Sequence, residues 1–271
     1  MMIDMDHVSG LIRAAVEAKI LPRFRNLAAG EIAQKGPNDP VTIADIEAEE
    51  MLSRLLLEAY PETLVIGEEL VSREPAMLDA LLGDTPVWVI DPVDGTLNFA
   101  AGNPVFGTIL AYVVGGQTKA GWIHDPINNV TVTALLGGGA WSDGRRLEVD
   151  KATPLNQSVG SAYWTPENWT MPDPGLTASG LFGAVLNHRC SAADYIDLAL
   201  GRRQFVLSQG SKPWDHAAGV LITQEAGGFA GFLEGEDYSV TELNSRVVAT
   251  ATEEAIQAIR EVADRPDTSG L

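Results

Sequence analysis

The residues best suited to chemistry are acids placed at the ends of apolar runs. Val87-Trp88-Val89-Ile90 has the pattern of a buried strand and stops at Asp91, after which come Pro92, Val93, Asp94, Gly95 and Thr96. A strand that gives way to Pro and Gly must turn tightly, so Asp91 and Asp94 converge where the strand runs out. Converging carboxylate oxygens are the ligands a hard cation such as Mg²⁺ takes. Gly95-Thr96 then opens a short helix, whose unpaired N–H groups favour an anion. A cation site beside an anion site points to phosphate. Either acid alone is explained by a helix cap or a turn, but two acids around a proline with Gly-Thr behind them exceed what a cap needs.

Further acids occupy three comparable places. Val65-Ile66-Gly67 runs into Glu68 and Glu69, Thr42-Ile43-Ala44-Asp45 has the form of a capping box, and Lys212-Pro213-Trp214 leads into Asp215. Asp215 heads a helix of small residues, Ala217-Ala218-Gly219, where a carboxylate gains from the helix dipole and close packing is possible. Each of these has an ordinary structural explanation when taken singly. His216 has no His or Cys at metal-ligand spacing, and His7, His124 and His188 form no cluster. Haloacid-dehalogenase-type phosphatases also place a nucleophilic Asp after an apolar strand, but their second Asp lies two residues on. Asp91 and Asp94 are three apart and do not fit that pattern.

The elements that must position these acids are legible from periodicity. Apolar residues at three- and four-residue steps predict a helix from Asp6 to Leu27 and a second from Thr42 until Pro61 stops it. Phe106 to Val114, Gly121 to His124 and Val130 to Leu136, separated by turn residues, predict an antiparallel meander. Beyond residue 150, strands at Val159–Tyr163, Gly183–Leu186 and Phe205–Leu207 alternate with helices at Ala192–Leu200 and Asp215–Ala226. Such alternation implies layered α and β structure. Thr165 to Ser179 reads as a long loop and the tail from Pro266 as frayed.

Composition bounds the partners. The 271 residues contain 18 Lys and Arg against 37 Asp and Glu, a formal charge of −19, which disfavours nucleic acid as a partner. Hydrophobic residues at 45 % and charged residues at 20 % are those of a folded chain. Cys190 is the single cysteine, so no intrachain disulfide forms. No secretory signal pattern and no run of roughly 18 apolar residues is present, so no membrane partner and a cytoplasmic location are expected.

Taken together, Gly67-Glu68-Glu69, Asp91-Pro92-Val93-Asp94-Gly95-Thr96, Trp214-Asp215-His216-Ala217-Ala218-Gly219 and Asp39-Pro40-Val41-Thr42-Ile43-Ala44-Asp45 resemble the motifs of the inositol monophosphatase family of Mg²⁺-dependent phosphomonoesterases. The resemblance spans nearly the whole chain. It implies an α+β fold, a layered α-β-α-β-α sandwich of the inositol monophosphatase/fructose bisphosphatase type. Residues 1–150 would form an N-terminal lobe of two helices on an antiparallel sheet and 151–271 a C-terminal lobe of mixed sheet and helices, with the site between them. It further implies Glu68, Asp91 and the carbonyl of Val93 as ligands of one Mg²⁺, and Asp91, Asp94 and Asp215 as ligands of a second. By the same resemblance a third, weaker site would lie near Glu68 and Asp91. Thr96 with Glu68 would position the attacking water, Asp45 would accept the Thr96 hydroxyl, and Gly95 and Thr96 would hold the phosphate. A homodimer is the family habit.

The expected substrate is a small polyol or amino-alcohol phosphate, inositol phosphate-like or histidinol phosphate-like, met by Asp94, Ser191 and Ser208. Ser208 stands where the animal inositol enzymes carry a glutamate that binds ring hydroxyls, which weakens inositol recognition. Cys190 reads as a small buried packing residue. Arg202 and Arg203, at a helix end, read as solvated; turned inward, they would favour a second anionic group. The alternatives are a non-catalytic protein that binds metal and phosphate and a bisphosphate-specific relative.

Overall fold

Described here are residues 3–28, 30–36, 39–162 and 172–263 of a computed structural model. Helix α1 (Met5–Ala15) starts at Asp4, whose carboxylate accepts from the amides of Asp6 and His7. It passes through one π turn (Val16–Ile20) into a 3₁₀ turn (Leu21–Arg23). The helix expected to reach Leu27 therefore ends at Arg23, because Pro22 has no N–H to continue the ladder. A hairpin of β1 (Ile32–Gly36) and β2 (Asp39–Thr42) leads into α2 (Ile43–Ala59), and Thr42 and Asp45 complete the expected capping box.

The chain then builds β3 (Leu64–Gly67), α3 (Glu68–Arg73), β4 (Val87–Asp94), α4 (Thr96–Ala100), β5 (Gly107–Val114), β6 (Gln117–Asp125), β7 (Val130–Leu135), β8 (Gly139–Ser142) and β9 (Arg145–Arg146). These strands form one seven-stranded sheet in the order β3-β4-β5-β6-β7-β8-β9, antiparallel except for the β3/β4 pair. The second half supplies β10 (Val159–Ala162), α5 (Pro174–Ser179), β11 (Ala184–Leu186), α6 (Ser191–Ala199), β12 (Phe205–Ser208), α7 (Pro213–Glu225), β13 (Phe229–Phe232), β14 (Val247–Thr250) and α8 (Glu253–Ala263). Its mixed five-stranded sheet runs β11-β10-β12-β14-β13.

Period-two burial sorts the layers. Trp88, Ile90, Leu110 and Trp122 leave one face of the large sheet to pack with Val8, Ile12, Leu52 and Leu56 of α1 and α2. Val89, Ile109, Ala111 and Ile123 leave the other face and meet Tyr195, Ala218 and Ile222 of α6 and α7. Val206 and Ala249 of the small sheet enter that same middle core, while Phe205, Leu207 and Val248 face Leu176 and Ile259 of α5 and α8. The order α, β, α, β, α is the layered sandwich expected. Among the described residues no helix is long and apolar enough to cross a membrane.

Several short elements carry no periodic signal and are absent from the expectations: β1, β8, β9, β13 and β14. Within the expected loop from Thr165 to Ser179, α5 is a helix of six residues capped by Asp173, too short for periodicity to show; residues 163–171 and the tail from Pro266 lie outside the described residues. Helix α8 is also new, although Ile256, Ile259 and Val262 carry helical spacing.

The middle layer depends on small residues. A Cβ on Gly219 of α7 would lie 2.2 Å from the ring of Tyr195, and one on Gly121 of β6 would lie 2.9 Å from the backbone of Ala218. Gly219→Val therefore displaces Tyr195 and its hydrogen bond to His216. Overpacking of this kind is expected to lower unfolding stability by about 2 kcal/mol or more, read as a lower urea midpoint at constant m-value.

Candidate functional site

In a regular strand, residues three apart point to opposite faces. Asp91 and Asp94 escape that rule because β4 bulges: Asp91 pairs with Ile109 and Asp94 with Gly107, so three steps on β4 match two on β5. The extra residue reverses the parity and brings both carboxylates to one side. Pro92, which donates nothing to the ladder, sits inside the bulge, and its carbonyl accepts from Thr108 Oγ1 at 2.8 Å. The parallel register of Gly67 with Ile90 brings Glu68, first residue of α3, out beside Asp91. Gly95 follows with φ +85°, a backbone state favourable only to glycine, and a Cβ there would crowd Val105 and Cys190.

Asp215 enters from the first turn of α7. Asp91, Asp94 and Asp215 then offer carboxylate oxygens that all lie within 4.8 Å of one another. Asp94 Oδ2 accepts from the Ala192 amide at 2.6 Å and from Cys190 Sγ at 3.1 Å, which ties the cluster to the start of α6. Asp91 Oδ1 is buried and has no hydrogen-bond partner among the described residues. A buried acceptor without a donor is costly, and three hard oxygen donors converging on it fit a divalent cation. The Thr96 hydroxyl lies 3.1 Å from Asp45 Oδ1 and 2.9 Å from the Val93 carbonyl.

Glu68 lines the same cleft, of about 350 Å³. It stands outside the three-carboxylate cluster, its Oε1 held at 2.6 Å by Lys35 of β1, which also reaches Glu69 at 3.0 Å. Lys35 is a residue that sequence reasoning missed, since nothing local to it signals contact with residues 33 and 34 positions away. Ser191 and Ser208 line the cleft, as do Arg189 and Lys212. Cys190 is buried as expected, yet it is also a donor to Asp94; burial first, and then Asp94, pushes its thiol well above the usual range.

Neither Arg202 nor Arg203 reaches the cleft. Arg202 is exposed and pairs with Asp197. Arg203 contradicts the expectation of a solvated helix end: it is 4 % exposed and bonds Asp194 at 3.2 Å, Asp197 at 3.1 Å and the Ser161 hydroxyl. The physical reason is Asp194, fully buried on α6, which requires a counter-charge inside the protein. His216 is a satisfied core histidine, bonded through Nδ1 to Tyr195.

The acids pay for their crowding in proton affinity. Burial, then Glu68, Asp94 and Asp215, pushes Asp91 well above the usual carboxylate range. Burial raises Asp215 to about 8 against the opposing charge of Lys212, and raises Asp94 to about 6 against its donors Ala192 and Cys190. Asp45 is lifted to about 7, again by burial. Each group holds protons in the folded state at a pH where the unfolded chain has lost them, so without a cation stability falls as pH rises. Buried His216 and His124, depressed to about 3 and about 4, act oppositely, but only below the unfolded histidine value of about 6.5. In EDTA the melting temperature should therefore rise by about 3 °C or more from about pH 8 to about pH 6.5. Excess Mg²⁺ should flatten the slope; a maximum at pH 8 in EDTA would contradict this electrostatics.

The sequence profile of the inositol monophosphatase family matches residues 5–265. Nus factor SuhB of Escherichia coli (strain K12) is 32% identical over 237 residues, 85% of this chain and 86% of that protein. The fructose-1,6-bisphosphatase/inositol-1-monophosphatase of Thermotoga maritima is 34% identical over 207 residues, 74% of this chain and 75% of that protein. The solved structure of a Thermotoga maritima IMPase superposes with a TM-score of 0.78 at 26% identity, covering 96% of this chain and 99% of that one. With sequence, fold and the convergence of the motif acids in agreement from one end to the other, this chain belongs to the inositol monophosphatase family.

Proposed function

We propose that the protein is a Mg²⁺-dependent phosphomonoesterase that hydrolyses a small-molecule phosphate with water as the nucleophile. The observation that carries this reading is the buried Asp91 Oδ1, without a hydrogen-bond partner among the described residues, inside a carboxylate cluster that opens onto the Gly95-Thr96 turn. Glu68, Asp91 and the Val93 carbonyl would hold one cation, and Asp91, Asp94 and Asp215 would hold another. Bound Mg²⁺ supplies a lowered water pKa and neutralises phosphate oxygens.

The chain's own groups do the rest. Thr96 and Glu68 orient the attacking water, with Asp45 fixing the Thr96 hydroxyl through their 3.1 Å contact. Gly95 and Thr96 present backbone N–H groups to the phosphate, and Asp94, Ser191 and Ser208 meet the leaving group. No protein nucleophile takes part: the Cys190 proton is engaged by Asp94 and its thiol is hard to ionise. The family reading also makes the protein a cytoplasmic homodimer, which sedimentation at twice the 28.9 kDa chain mass would test. A second reading, a regulatory protein that binds metal and phosphate without turnover, is favoured by one finding, the name Nus factor borne by the Escherichia coli relative.

Phosphate release from a panel of monoesters with and without Mg²⁺ separates the two readings, and absence of turnover despite bound metal would reject the enzyme. Asp91→Asn removes charge from both cation sites and should lower kcat by about 10²-fold or more. Asp45→Asn acts only through Thr96 and should cost about tenfold. Ser208→Glu gives ring hydroxyls a charged acceptor and should raise relative activity on inositol 1-phosphate; no rise would place recognition elsewhere.

A further inference from the structure

The cleft is charged unevenly. The charged side chains it takes from residues 39–97 are all acids, whereas residues 189–215 supply Arg189 and Lys212 beside Asp215. Asp215 belongs to the carboxylate cluster. Once cations answer that cluster, the remaining charge on the second wall is positive.

Arg189 is held in place on both sides of its Cα. The Asn98 amide donates to the His188 carbonyl at 2.9 Å, the Arg189 N–H donates to Asn187 Oδ1 at 3.0 Å, and the next residue, Cys190, donates to Asp94. Its backbone lies at φ +54°, in the left-handed region that a residue with a Cβ adopts at a cost. Strain of this kind persists only where the surrounding structure over-determines the residue, and it clusters at functional sites. Yet the guanidinium makes one side-chain contact, 3.4 Å to Asn98 Oδ1, and no ion pair among the described residues. Arg203 is the contrast, its fork closed on Asp194, Asp197 and Ser161. Lys212 likewise has no ion pair among the described residues, its ammonium lying 5.6 Å from the ring centroid of Trp214.

A planar fork with unengaged donors suits a carboxylate or phosphate, which it meets with two parallel hydrogen bonds. A neutral polyol offers it no charge, and an amino alcohol brings a positive one. We propose that Arg189, with Lys212 adding positive potential, binds a second anionic group on the leaving-group side, so that the substrate is a small phosphate ester bearing another phosphate or a carboxylate. This subsite rests on the phosphomonoesterase reading and narrows it.

The test compares kcat/KM in Mg²⁺ for fructose 1,6-bisphosphate, 2-phosphoglycerate, inositol 1-phosphate and histidinol phosphate, in the wild type, Arg189→Gln and Arg189→Lys. The wild type should prefer the bisphosphate or the carboxylate ester to inositol 1-phosphate by about tenfold or more, and Arg189→Gln should lower that preference by about tenfold, mainly through KM. Arg189→Lys should restore part of it, and the two anionic esters identify which anion the subsite takes. A wild-type preference for the neutral or aminated ester, or an equal loss on every ester in Arg189→Gln, would overturn the proposal; the equal loss would move Arg189 to the reacting phosphate. If the wild type hydrolyses no ester, the hydrolase reading fails instead. The ratio of Kd values for the bisphosphate and inositol 1-phosphate with Ca²⁺ then decides the subsite: a ratio altered in Arg189→Gln supports it and an unaltered ratio overturns it.

Discussion

Repulsion among Asp91, Asp94 and Asp215 is the constraint around which the rest of the structure is arranged. Like charges a few ångströms apart in a poorly solvated place raise one another's proton affinity, and burial adds to the effect. A fold that keeps three such groups within 4.8 Å must hold them by other means. The β4 bulge fixes the first two, the α7 packing fixes the third, and α6 supplies two donors to Asp94.

Those means come from different parts of the chain, which accounts for the position of the site. Helices α6 and α7 form the middle layer, and their apolar faces are shared by the large and small sheets. The carboxylates of β4 meet the N-terminal ends of those helices, and the α2 cap approaches from the opposite layer through Asp45 and Thr96. The core glycines matter to chemistry for this reason: close approach of α7 to the large sheet positions Asp215 against Asp91. Glu68 is steadied separately by Lys35, whose charge survives burial because Glu68 and Glu69 face it.

Much of this arrangement was legible in the sequence. The acids were visible because an apolar run that ends in Asp marks a strand end, and layered α and β structure because the periodicities of two and of three to four alternate along the chain; the order of five layers came only from the resemblance of the motifs to the family. The bulge was not legible. Spacing alone places Asp91 and Asp94 on opposite faces of a strand, and only the register against β5 shows why they converge. Arg203 misled for a similar reason: Gly201-Arg202-Arg203 has the composition of a solvated helix end, and the burial of Asp194 that draws Arg203 inward is a tertiary fact. Lys35 and Arg189 act across the fold and carry no local pattern, whereas α8 carried one that was open to reading.

The Asp91, Asp94 and Asp215 cluster is arranged as a site for a divalent cation. Anomalous diffraction from crystals equilibrated with Mn²⁺ tests it most directly, because the ion is located without reference to activity. The strongest anomalous peak should lie among the three carboxylates, within about 2.2 Å of Asp91 Oδ1 as expected for a hard cation and oxygen. Peaks confined to surface acids, with none at the cluster at saturating Mn²⁺, would contradict it.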